Sequence, residues 1–400
     1  MVNNKGSFTV KSCETEEDIR NVADFLQGIF GHGRDYILTH PDVKCPQLVR
    51  YVEHQGAIVS AHVLERMELS VGENWVRAVR VEYVGTAPSF RMNGLCRLLM
   101  DDSMELLKTR GTQLVVIFGE PLFRRLGFEY CIPTYMQTMP NYSPPGSAII
   151  PTCALAELKS SQWLRPMSPE DLPRVAEVHS RGNPSGNFSR RRSQYYWGHL
   201  VKTLGIDTYH VVGHGSKITG YVRMDSGRGS VQAREVVALD AGACDSILHY
   251  LYQLAIANGA EAVVFHCPHS GTFGTHIRRH GAAQYAPDAE RETNLQMRLL
   301  DLRACLRMIC PTLSHRVQQS EFFNLNRRYN LRTESTSAGL HIQNGKVSLV
   351  ETTDDAQDIC IPEKRMSQLF TGFRLDEPFH DQFVDVVFPT GEPYWYVDDI

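Results

Sequence analysis

The sequence predicts an α/β chain that closes in an α+β module, and three observations carry that reading. Strand-like and helix-like segments alternate through roughly the first three quarters of the 400 residues, punctuated by glycine and proline. Markers of the first half return in the second at a nearly constant offset: 153 residues separate Thr15 from Ser168, and 154 separate Gly127 from Gly281. The last stretch changes pattern, to a helix, two alternating strands about Asn344-Gly345, and a further amphipathic helix. These shifts divide the chain into residues 1–150, 151–296 and 297–400, with the turn formers from Asn141 to Ser147 linking the first two parts.

Taken in order, Thr15-Glu16-Glu17-Asp18 opens a helix with acidic residues in its first turn. The loop Phe30-Gly31-His32-Gly33-Arg34-Asp35 follows, with two glycines to make it mobile; His32 is either a ligand contact or plain surface. A β-rich run, Val81 to Thr86, meets Pro88, and a short loop carries Arg91-Met92-Asn93-Gly94. A helix begins at once, because Cys96, Leu99, Met100, Met104 and Leu107 fall at three- and four-residue spacing. Arg110-Gly111 stops it, Leu114–Phe118 reads as a buried strand, and Phe123-Arg124-Arg125-Leu126-Gly127-Phe128 follows.

In the second half, Ser168-Pro169-Glu170-Asp171 repeats the helix start, Gly259 repeats the stop, and Val263–Phe265 repeats the strand. Where the loop at Arg91 should recur stands Asp240-Ala241-Gly242-Ala243-Cys244-Asp245. In the last part a helix is expected over Leu299–Ile309, a hairpin over Leu340–Val350, and a helix with Met366, Leu369 and Phe370 after Ile359-Cys360-Ile361-Pro362.

The chemistry-bearing element is the loop at Arg91. A strand that feeds a glycine-bearing loop and a helix start leaves several peptide N–H groups aimed at one point, at the positive end of the helix dipole. A diphosphate suits that arrangement, with Gly94 allowing close approach and Arg91 adding a cation. An ordinary strand–turn–helix with an exposed arginine has the same spacing. The second half, with two aspartates at this place, would repel a diphosphate and reads as structural or as a pocket wall.

Composition removes other classes. A 42% hydrophobic and 22% charged chain is an ordinary globular one, and a formal charge of −4 gives no case for nucleic acid or an anionic membrane. No apolar run approaches a membrane span, and the start lacks a signal-peptide core. Ten scattered cysteines without C-x-x-C spacing read as reduced thiols of a cytoplasmic protein. His266 and His269 flank Cys267 without a fourth ligand at suitable spacing, so no metal is expected.

The order of strand, R-x-x-G-x loop, helix, strand and F-x-x-x-G-F element resembles the GNAT acyltransferase superfamily. With the echoed half and the hairpin-bearing end, the chain resembles its enhanced-intracellular-survival group: two tandem GNAT domains followed by a sterol-carrier-protein-like domain. The resemblance implies acetyl-CoA as cosubstrate, an amine as acceptor (small molecule or peptide), direct transfer in a ternary complex, and a homo-oligomer. It places pantetheine on Val84, Gly85 and Thr86, and the pyrophosphate over Arg91, Met92, Asn93, Gly94, Leu95, Cys96 and Arg97. It implies a tyrosine acid where this chain has Phe123, and a base supplied by the C-terminal carboxylate, here Ile400. Glu82, two residues before the usual glutamate and expected on the same face, and Glu120 are the other base candidates. A non-catalytic acyl-CoA sensor or scaffold is the alternative that Phe123 keeps open.

Overall fold

The computed structural model describes residues 8–40, 45–71, 74–119, 121–130, 136–140, 160–182, 189–227, 229–260, 262–265, 267, 271–280, 283–285, 295–371 and 381–388. They form two compact units, one from the residues between 8 and 130 together with those from 295 to 388, the other from those between 136 and 285.

The first unit begins with β1 (Thr9–Ser12), α1 (Glu16–Phe30), α2 (Arg34–Thr39), β2 (Val49–His54), β3 (Ala57–Val71), β4 (Asn74–Thr86), α3 (Leu95–Thr109), β5 (Leu114–Phe118) and β6 (Glu129–Tyr130). Helix α1 starts where the sequence says it should: Thr15 accepts from the Asp18 N–H, and the Asp18 carboxylate accepts from the Thr15 N–H. Val22, Ala23 and Leu26 of α1 pack with Ala61 and Val63 on one face of the sheet. Met100, Met104 and Leu107 of α3 pack with Leu64, Val79, Val81, Val115 and Ile117 on the other.

The second unit runs β7 (Met136–Pro140), β8 (Trp163–Pro166), α4 (Leu172–Gly182), α5 (Gln194–Leu204), β9 (Tyr209–His214), β10 (Lys217–Gly227), β11 (Ser230–Ala238), α6 (Ala241–Asn258), β12 (Ala262–Phe265), α7 (Thr272–Arg279) and β13 (Ala283–Tyr285). Gly259 caps α6 in the left-handed region, as expected of the repeated stop. Gly281, the end marker of the echo, lies outside the described residues.

The chain then returns to the first unit with β14 (Leu295–Leu299), α8 (Leu302–Gln318), β15 (Arg327–Arg332), β16 (Ser337–Gln343), β17 (Lys346–Val350), β18 (Gln357–Cys360), α9 (Glu363–Thr371) and α10 (Gln382–Val387). The helix expected from Leu299 starts three residues later. Leu299 is instead the last residue of β14, paired antiparallel with Leu114 of β5, and Asp301 caps α8 through the Ala304 N–H. The hairpin is as read: Asn344 and Gly345 both have positive φ, 51° and 72°, between β16 and β17.

Two seven-stranded sheets share one order. In the first unit it is β1-β2-β3-β4-β5-β14-β6, in the second β8-β9-β10-β11-β12-β7-β13, and in each the fourth and fifth strands are parallel. Each sheet takes its sixth strand from far along the chain, β14 between β5 and β6, β7 between β12 and β13. A third sheet, β17-β16-β15-β18, packs on α8 and completes the first unit. Among the described residues no helix is long and apolar enough to cross a membrane.

Candidate functional site

The site is made by the end of β4. Strand β5 pairs with β4 only from Ala78–Leu114 to Val81–Ile117, so β4 continues for five residues, Glu82 to Thr86, past its parallel partner. On its other edge Gly85 and Thr86 remain paired with Ala61 and Ser60 of β3. The edge released by β5 is the one where an extended ligand carrying amide groups can add as a further strand.

A bulge sits in that segment. Ala61 pairs with Gly85 and Val63 with Glu82, which leaves Tyr83 and Val84 opposite His62 alone, and Tyr83 adopts φ 52°. The bulge overturns the expectation that positions 82 and 84 share a face. Glu82 and Tyr83 lie on the α1–α2 side, Tyr83 against Tyr36, Phe30 and His32, while Val84 joins the α3 core. Four non-glycine residues among those described have positive φ; Gln55 and Asn344 lie in two-residue hairpin turns. The remaining two, Tyr83 and Met92 (φ 65°), both lie here, and strain of this kind concentrates at ligand sites.

After Thr86 the chain makes a 3-10 turn at Pro88–Phe90 and enters the loop. Gly94 holds φ 75° as the N-cap of α3, makes no side-chain cap bond, and would place a β-carbon in open space. The first turn of α3 has no acidic residue, so its donors and dipole are uncompensated. Asn93 donates back to the Phe90 and Arg91 carbonyls, and Arg91 Nε donates to the Thr86 carbonyl at 3.3 Å. The Arg97 guanidinium donates to the Arg125 carbonyl at 2.9 Å, which ties the start of α3 to the turn after β5. Met92, Asn93, Gly94 and Arg97 are exposed, Leu95 is buried against Val59, and Cys96 is half-buried, its thiol pushed up by burial against the opposing pull of Arg97. The arrangement can hold an anion at the helix start and pair a strand edge beside it.

The corresponding helix start in the second unit is closed. Asp240 accepts from the Ala243 N–H at 2.8 Å and from Gln162 at 2.9 Å, so a carboxylate occupies the place an anion would take.

The remaining expected residues are placed unevenly. Glu82 is partly exposed, and its Oε1 lies 2.6 Å from Arg80 Nε; Arg80 also donates to Glu65, which is buried with Tyr36 and His40. Glu82 and Arg80, two residues apart on β4, thus form an ion pair. Burial, then the Glu82 charge, pushes the Tyr83 phenol above its ordinary range. Phe123 is buried, its ring over Gly119 and edge-on to Phe128. Glu120 and Ile400 lie outside the described residues, as do His266 and His269. The bulge at Tyr83 and the Glu65 network escaped sequence reasoning, because each depends on the register between β3 and β4. The sequence reading also passed over His276 and His280, one turn apart at the end of α7; their i,i+4 spacing on a helix was the available signal.

Residues 13–131 match the family model described as an acetyltransferase (GNAT) domain. No curated protein matches the sequence at a significant level. Among solved structures, the chain is similar to a GCN5-related N-acetyltransferase from Kribbella flavida at 15% identity and TM-score 0.74, over 99% of this chain and 100% of that one. One from Anabaena variabilis, also at 15% identity, gives TM-score 0.68 over 98% and 99%. Eis1 from Mycobacterium abscessus, at 14% identity, gives TM-score 0.67 over 97% and 99%. At these identities the likeness is one of fold, and it extends over nearly the whole chain.

Proposed function

We propose that the first unit transfers an acetyl group from acetyl-CoA to an amine. The observation that carries this reading is the released edge of β4 running into an uncapped, acid-free helix start, within residues that match an acetyltransferase domain. Val84, Gly85 and Thr86 would pair with the pantetheine arm, and Arg91 to Arg97 would cradle the pyrophosphate, with N–H groups and the helix dipole opposing its charge. The thioester supplies the activated acyl group. The protein's part is to hold it in line with the amine and to take a proton from the ammonium.

The base is assigned to one of three carboxylates: Glu82, Glu120 or the chain terminus at Ile400. Glu82 stands beside the open edge, oriented by Arg80. The three-part division at residues 150 and 296, the sterol-carrier-like character of the last part, a cytoplasmic location and homo-oligomerisation belong to the same proposal.

A second reading, a non-catalytic acyl-CoA sensor, is favoured by one observation: the ring at 123 has no hydroxyl to protonate a departing thiolate and is packed away on Gly119. Mixing the protein with acetyl-CoA and a panel of amines separates the two. Amine-dependent release of free CoA thiol is expected; tight CoA binding with no amine turned over would replace the first reading with the second.

A further inference from the structure

We propose that Asp245, His276 and His280 of the second unit bind a divalent transition-metal ion. Asp245 lies in the second turn of α6, and His276 and His280 lie one turn apart at the end of α7, facing it. His276 Nε2 is 2.6 Å and His280 Nε2 is 3.9 Å from the same carboxylate oxygen, Asp245 Oδ1. One donor atom from each residue falls within 4.8 Å of the others, and no other trio of His, Cys, Asp or Glu converges so among the described residues.

The donor set and the spacing both select the ion. Two imidazole nitrogens and one carboxylate oxygen suit zinc and its neighbours, whereas calcium and magnesium take oxygen ligands. Ligands at about 2.0–2.1 Å around a tetrahedral zinc lie roughly 3.3 Å apart. The two carboxylate–imidazole separations straddle that value, and all three donor atoms lie within 4.8 Å of one another, so side-chain adjustment alone would close the site. A simple histidine–carboxylate pair accounts for His276 alone. It leaves unexplained why a second imidazole, its ring centre 4.9 Å from the first, is brought to the same oxygen.

The three side chains are 13–30% exposed, so an ion can reach them from solvent. Three protein ligands leave a fourth position for water or an external ligand, and the bound ion would staple α7 to α6. This site is independent of the acetyl-transfer reading.

The test uses the full chain, stripped with a chelator and then titrated with zinc chloride alone against a chromophoric competitor. Wild type is expected to take up one tight equivalent, and zinc is expected to raise its Tm. Asp245→Asn, which keeps the side-chain shape, and His276→Gln/His280→Gln should weaken that equivalent by about a hundredfold or more and abolish the Tm shift. His214→Ala, removing an exposed histidine elsewhere in the unit, should retain it. Cobalt(II) should give the intense visible absorption of a four- or five-coordinate complex in wild type and His214→Ala, and not in the variants at Asp245 or at His276 and His280. Far-UV circular dichroism of the metal-free proteins identifies the folded variants. Absence of the tight equivalent in wild type, or its retention by either folded variant, overturns the assignment.

Discussion

Glu65 and Arg80 oppose one another across β3 and β4, both buried, with the Tyr36 hydroxyl donating to Glu65 and His40 3.0 Å away. A charge in that position is tolerable only while its partner remains. Glu65→Ala is expected to cost about 3–5 kcal/mol in urea unfolding, because it removes the Glu65 carboxylate to which the buried Arg80 guanidinium donates. Glu65→Leu combined with Arg80→Met should cost clearly less than the sum of the single changes; simple additivity would show that the two do not act as a pair. This cluster was only partly legible beforehand. Glu82 beside Arg80 is visible two residues apart on a strand, but Glu65 reaches Arg80 only through hairpin register, which no local pattern states. The positive φ of Tyr83 is invisible for the same reason, since tyrosine has no preference for it and the bulge imposes it.

Capping illustrates what is legible at the level of elements. Thr15/Asp18 and Ser168/Asp171 are short-range patterns, and both form reciprocal capping boxes. The second is reinforced by Arg165, whose guanidinium donates to both Asp171 oxygens at 2.6 and 2.8 Å. That pairing, with further donors from Ser168, outweighs burial and holds the Asp171 carboxyl down at about 2. A carboxyl depressed in the folded state contributes stability that is fully present above its unfolded value, near 4, and is lost as pH falls through about 2. Asp171→Asn should therefore be less stable than wild type by about 1–2 kcal/mol at pH 7, Arg165 being half exposed to screening water. The gap in urea midpoints should narrow between pH 4 and pH 2; a gap independent of pH would exclude the ion pair as its source. The Asn344-Gly345 hairpin was legible for the same local reason as the caps. The start of α8 was not, because Leu299 continues an apolar run while its strand partner, Leu114, lies far back in the chain.

For the molecule as a whole, the α/β character and the echo between halves were readable from element order, and the two sheets share that order. The exchange of β7 and β14 between distant parts of the sequence was not readable, since periodicity identifies strands and not their neighbours. The central claim belongs to this scale: one helix start of two equivalent ones is open to a diphosphate, and the other is closed by Asp240. Isothermal calorimetry of CoA with wild type and Gly94→Glu tests it most directly. A β-carbon at Gly94 meets nothing within 4 Å, so the variant should fold with a cost of about 1 kcal/mol from its left-handed backbone. The expected result is one CoA bound by wild type and none by folded Gly94→Glu, whose carboxylate would stand at the anion site. Undiminished CoA affinity in that variant would contradict the account.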